Sequence, residues 1–259
     1  MKIKIPSQLN KKIEGLSIQQ DVIENSTKGE SAKISSNLIG VTEHQDGEQR
    51  VNQFLAVEND SIKYISAFPS PTHLYLSTAI ELYQVSEHRK NINFLKCGTK
   101  THDDKIVLLE FENGYTHECF TDYFKAKTTS IIMLVSSLEI FMNQHIHQNY
   151  TYTWKDEKWN HEKIENKLSF NIKLEHVIPD ACDLKNLWKE NFEDLNIIKN
   201  LYNQRKEFVH LKTKSKEDWK RYTDSFDSLT KFDLKEAIEA SITFMNTVSP
   251  GFIEIENNL

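Results

Sequence analysis

Cysteine, proline and glycine are all scarce in this chain: 3, 5 and 7 residues respectively among 259. Cys97, Cys119 and Cys182 are odd in number and widely spaced, with no C-x-x-C pair. Neither a disulfide framework nor a thiolate zinc site is expected, and a reduced, cytoplasmic protein is the simplest reading. So few glycines and prolines disfavour a turn-rich sandwich or barrel and favour long helices. There is no P-loop and no G-x-G-x-x-G, hence no phosphate-cradling loop.

A long apolar run is lacking too. "MKIKIPSQLNKK" has no stretch of signal-peptide length. The most apolar segment, Ile131 to Phe141, contains Glu139, and it falls well short of the ~20 residues that a bilayer requires. No membrane association is expected. The net charge of −6 excludes an electrostatic nucleic-acid binder at the level of the whole molecule, so any such role must come from a local patch. His145 and His147 stand two residues apart, whereas helical metal ligands stand three or four apart. "HEKIE" at His161 is not H-E-x-x-H. No metal and no cofactor is expected.

What is present is a 38% hydrophobic content, enough for one large domain or two small ones. Residues 1 to about 33 are polar and read as a loop or loosely held arm. Lys33 to Phe68 holds short β-favouring runs broken by "QDGE" and "ENDS", which predicts a small strand element. "SPTHLYLSTAIELYQVSEHRKNINFL" opens with a Ser-Pro start signal and predicts a helix, with Leu74, Leu76, Ile80, Tyr83 and Val85 as its apolar positions. "KCGTKTHDDK" and the turn at Asn113-Gly114 then interrupt the pattern.

The second half reads as four helices: from about His117 to Gln148, a segment stopping at Pro179, roughly Leu184 to Lys212, and Asp233 to Thr247. Their connections are of moderate length, which suggests a helical bundle. Tyr150, Tyr152, Trp154 and Trp159 are expected in a polar linker, packed over the end of that bundle or stacking bases. The expected fold class is mainly α, with a smaller mixed α+β region over residues 1–115 and a helical bundle over 116–259.

One residue conflicts with its helix. In "NLYNQRKEFVHLK", Ile198, Leu201, Tyr202, Phe208 and Val209 fall within about 80° of one line at ~100° per residue. Arg205 lies only about 20° from that line. A guanidinium there must pair with a carboxylate inside the core, line a cleft, or lie at an oligomer interface. His210 follows five residues later, about 140° around an unbroken helix. A helix end near Val209, or a second copy of the chain, is needed to bring the two together. Lys199, Arg205, Lys206, Lys212, Lys214, Lys216, Lys220 and Arg221 are opposed only by Glu207, Glu217 and Asp218, a local net charge of +5. Such a segment can attract phosphates; the alternative is a solvated helix end whose cations complement the macrodipole.

"SSLEIFMNQHI", "IENKLSFNIKLEHVIP" and "LYNQRKEFVHLK" together resemble the HEPN superfamily of helical domains, marked by an R-x(4–6)-H motif late in the chain. Arg205 to His210 fits as R-x4-H, and the resemblance covers residues 117 to 250. Lys206 follows the arginine where members commonly carry Asn, Asp or His. The resemblance implies a four- or five-helix up-and-down bundle that forms a homodimer, with two motifs facing each other in a cleft. Many relatives are metal-independent ribonucleases of toxin–antitoxin or antiphage defence systems, which implies RNA as substrate and an antitoxin or defence protein as partner. Others are binding modules without activity, so a non-catalytic dimeric module that binds nucleic acid or protein stays open.

The residue types suit metal-free RNA cleavage. His210, with an ordinary pKa of ~6.5, can move the 2′-OH proton near neutrality. Arg205 can hold phosphate oxygens with its planar fork, and Lys206, Lys212 and Lys214 can bind the backbone. Glu139, or Asn143 beside it, can orient His210; Glu139 can equally be the salt-bridge partner of Arg205. A mechanism that uses the 2′-OH selects RNA over DNA.

Overall fold

The computed structural model describes residues 1–5, 11–12, 37–43, 49–60, 62–96, 98–100, 107–109, 115–209 and 218–256. Across them the chain is mainly helical. It divides into two compact units, Ile5–Leu74 and Met1–Lys4 with Tyr75–Leu259. The division falls inside a helix, upstream of the expected boundary near residue 115.

The smaller unit is an antiparallel sheet centred on one long strand. The strands β1 (Lys11–Lys12), β2 (Asn37–Glu43) and β4 (Ile62–Ala67) all pair with β3 (Gln49–Asn59). The β2–β3 register aligns Val41 with Val51, and the β3–β4 register aligns Asn59 with Ile62 across a tight turn. Asp60 enters that turn with φ 49°, a left-handed conformation that Asp tolerates better than most residues. This is the strand element expected between Lys33 and Phe68.

The helix α1 (Pro71–Lys96) starts at the Ser-Pro signal and crosses the division between the units. Leu76, Ala79 and Ile80 form its buried stripe, while Leu74 and Val85 are exposed. After β5 (Gly98–Lys100) and β6 (Val107–Leu109), a paired two-stranded ribbon, the larger unit is built on α2 (Tyr115–His145). Ile131, Leu134, Leu138, Phe141 and Met142 of α2 are wholly buried, as their helical spacing predicts.

The expected polar linker is a β-hairpin. β7 (Thr151–Trp154) pairs with β8 (Glu157–Asn160), setting Tyr152 opposite Trp159. Lys155 and Asp156, at φ 51° and 65°, supply the two left-handed residues of a type I′ turn, which neither Asn nor Gly advertises here. The hairpin aromatics pack against the core.

The expected second helix is a chain of short pieces. These are α3 (His161–Lys167), α4 (Phe170–Ile172), a π-helical turn (Lys173–Val177) and α5 (Ile178–Ala181). Pro179 does not stop it. A proline cannot donate to the carbonyls behind it, and within the π-helical run the carbonyl five residues back is that of Leu174. The Trp188 indole donates to that oxygen at 2.8 Å, so the backbone continues without a buried orphan acceptor.

α6 (Leu187–Glu190) and α7 (Phe192–Val209) follow, then α8 (Asp218–Lys231) and α9 (Leu234–Val248). Asp233 caps α9 by accepting from the Glu236 N–H at 3.0 Å. α8 falls in the connection expected between the helices read over residues 184–212 and 233–247. Its apolar positions Trp219, Tyr222, Phe226 and Leu229 nevertheless recur at helical spacing. α2, α7 and α9 pack on one another, and α8 packs on α7. Phe244 of α9 sits between Phe141 and Trp188, at ring-centroid distances of 5.7 and 5.3 Å.

Of the arm expected over residues 1 to about 33, most lies outside the described residues, but residues 2–4 are held in place. Ile3 is buried and bridges to Ile255, with Lys4 N–H donating to the Glu254 carbonyl at 3.0 Å and Glu256 N–H to the Lys2 carbonyl at 2.8 Å. In the alternation "MKIKI" Ile3 is the residue turned into the core, while Met1 and Ile5 are exposed.

Candidate functional site

The buried residues of α7 are Leu195, Ile198, Leu201 and Gln204. Helical spacing alone puts Arg205 at the centre of the apolar line; in the structure it is half-buried, beside that line. The reason is α8, which covers α7 from the Gln204 side. Gln204 Nε2 donates to Ser228 Oγ at 2.7 Å, and Phe208, one turn on, meets Phe226 with centroids 6.0 Å apart. Gln204 Oε1 is buried without a hydrogen-bond partner. The contact side of α7 thus rotates away from Arg205 in its last turns, leaving the guanidinium at the edge of the core. Among the described residues, Arg205 forms no hydrogen bond or ion pair.

A second face of α7 meets the segment around the π-helical turn. Lys199 pairs with Glu175 at 2.8 Å. One turn on, the ring of Tyr202 stacks on Phe170, and Lys206 Nζ stands 5.9 Å from the Tyr202 centroid. Residues three and four apart are neighbours on a helix, so Arg205 and Lys206 both flank Tyr202. The two cations share one end of α7, next to an aromatic held in place by another aromatic.

Glu139 is half-buried on α2, one turn before Asn143. Neither is joined to Arg205 by an ion pair or hydrogen bond among the described residues. Both bear instead on Lys173, a buried lysine in the π-helical turn. Lys173 Nζ donates to Asn143 Oδ1 at 2.9 Å and to the Glu165 carbonyl at 2.7 Å. Burial pushes its ammonium below the ordinary lysine range, and the charges of Glu139 and Glu165 hold it part-way up. Sequence reasoning missed Lys173, although the signal was of the same kind as for Arg205: a lysine amid Phe170, Ile172 and Leu174.

His210, Lys212 and Lys214 lie outside the described residues. The expected convergence of Arg205 with His210, and the reach of the basic segment, are therefore not part of this geometry. The described portion can hold an anion: Arg205 offers a fork of donors and Lys206 a point charge.

His145 is packed and hydrogen-bonded within the core. His145 Nδ1–H donates to the Phe141 carbonyl at 2.8 Å, and its ring lies against Phe141 with centroids 4.0 Å apart. Burial lowers its pKa from the ordinary histidine value, the Phe141 bond opposes this, and His147 adds to the lowering. Among the described residues no group of histidine, cysteine and carboxylate side chains is arranged to hold a metal ion, and no helix is long and apolar enough to cross a membrane. Compared with known protein families, curated proteins and solved structures, the chain has no match in any of the three.

Proposed function

We propose that this chain is a HEPN-like helical protein that acts on RNA as a homodimer, cleaving it without a metal, in the manner of toxin–antitoxin or antiphage ribonucleases. The observation that carries the proposal is Arg205: a half-buried guanidinium at the edge of the core with no carboxylate partner among the described residues. Structural arginines in such positions are normally paired. One that is not is suited to an anionic ligand, and the adjoining Lys206 and Tyr202 add a second cation and an aromatic surface. The packing of α2, α7 and α9 supports an up-and-down bundle of the expected kind.

In the proposed reaction His210 takes the proton from the 2′-OH as that oxygen attacks phosphorus. Arg205 holds the non-bridging oxygens as charge grows on the phosphorane. The protonated His210 imidazole then returns that proton to the departing 5′-oxygen, giving a 2′,3′-cyclic phosphate and a 5′-OH. Two motifs facing each other across a dimer cleft bring His210 and Arg205 to one phosphate. RNA incubated with the protein in EDTA is cut under this reading, and His210→Ala abolishes cutting. Equal cleavage by the variant ends it.

A second reading is favoured by a specific feature. The cations described at the end of α7, Arg205 and Lys206, suit phosphate oxygens without any proton-transferring group. A non-catalytic dimeric module that holds nucleic acid or an acidic partner protein through them needs nothing further. RNA binding that survives His210→Ala, with no cleavage by the wild type, selects it.

A further inference from the structure

A cavity of about 280 Å³ opens between α1, α2 and the turn joining α8 to α9. Glu87 and Lys90 come from α1, Lys127 from α2, Lys231 from the end of α8, Asp233 from the turn and Lys235 from the start of α9. No residue of α7 takes part, so the cavity is independent of the RNA reading above. Four lysines face two carboxylates there.

Lys127 is the informative one. It is only 5% exposed, yet no carboxylate is in ion-pair contact with it among the described residues. Its hydrogen bonds run to Tyr123 Oη at 3.4 Å and the Thr230 carbonyl at 3.3 Å. Both are long for a charged donor, whose bonds to oxygen ordinarily fall near 2.7–2.9 Å. Glu87 and Asp233 act on it only through space, and burial pulls its pKa down from the ordinary lysine value. Lys173, the other buried lysine among the described residues, is tied at short range to two oxygens. Among the described residues Lys127 is a desolvated cation without a carboxylate in contact, and such a charge is costly unless something supplies an anion.

The rim cations can be recruited. Lys90, Lys231 and Lys235 pair with Glu87, Asp227 and Glu239 within their own helices, at 4.0, 2.6 and 3.7 Å. Exposed pairs of that kind are weak and easily exchanged. A carboxylate ligand would use one of these cations. A phosphate carries more charge and enough oxygens to engage Lys127 at the floor and two lysines at the rim together.

We infer that this cavity is a binding site for a small phosphorylated molecule, with Lys127 as its central contact and the rim lysines closing over the anion. The test is titration calorimetry of the full chain with inorganic pyrophosphate and with inorganic phosphate, in a chloride buffer of constant ionic strength. The wild type is expected to bind pyrophosphate saturably, more tightly than phosphate. Lys127→Met, close in volume and uncharged, loses at least tenfold in affinity. Lys90→Glu, an exposed position where folding is not at stake, weakens binding severalfold. Absence of saturable binding to the wild type overturns the inference, as does undiminished binding by both variants.

Discussion

The ring of Tyr202 lies parallel to that of Phe170, with centroids 4.4 Å apart and planes inclined by 7°. This stack joins α7 to the segment leading into the π-helical turn, and it sets the rotation of the helix that carries Arg205 and Lys206. Tyr202→Ala should therefore destabilise the chain by about 3 kcal/mol, the range for deleting a packed aromatic ring. Tyr202→Phe keeps the stack and should lie within about 0.5 kcal/mol of the wild type. Urea unfolding at neutral pH measures both; equal stability of all three chains contradicts the role given to the ring.

Lys173 is held by Asn143 and by the Glu165 carbonyl, with Glu139 nearby. Replacing it with methionine keeps the volume but leaves two oxygens without their donor. Lys173→Met should cost about 1–3 kcal/mol, the penalty for orphaned buried acceptors. Restoring some of it by a second change, Asn143→Leu, would show that the oxygen on α2 is the group left unsatisfied. A thermal melt of the single and double variants decides this.

His145 gives the larger unit a pH dependence. Its folded pKa is depressed by burial, so between that value and the ordinary ~6.5 the unfolded chain binds more protons than the folded one. Stability should accordingly fall as pH drops from about 6.5 through the folded pKa, and stay level with respect to this group above 6.5. His145→Gln removes the proton site and should flatten that part of the profile. An unchanged slope in the variant contradicts the assignment.

Much of this architecture was legible because it follows from periodicity. Ile131 to Met142 show their helix without ambiguity, and Asp233 announces the start of α9. The rest failed for identifiable reasons. The Lys155-Asp156 turn uses residues that seldom adopt left-handed conformations, so the hairpin at Tyr152 and Trp159 passed for a linker. Pro179 read as a stop because nothing local reveals that Trp188 will satisfy the Leu174 carbonyl. Arg205 was placed on the right side of α7 but too deep, because the buried side of that helix turns toward α8, which the sequence reading did not include. Lys127 and Lys173 share its logic, a cation among apolar neighbours, and only tertiary contacts separate the satisfied one from the other two.

Arg205 without a carboxylate partner has a direct consequence for stability. Removing a paired, buried arginine costs several kcal/mol, whereas Arg205→Ala should cost less than about 1 kcal/mol. Chemical denaturation of the two chains distinguishes the cases.

The most direct test of the central claim is the affinity of a fluorescent single-stranded RNA for wild type and Arg205→Ala across a range of salt concentrations. Loss of one phosphate contact should weaken binding about tenfold and reduce the slope of log affinity against log salt by about 0.7. Identical affinities and identical slopes would contradict it, since the guanidinium would then be touching no phosphate.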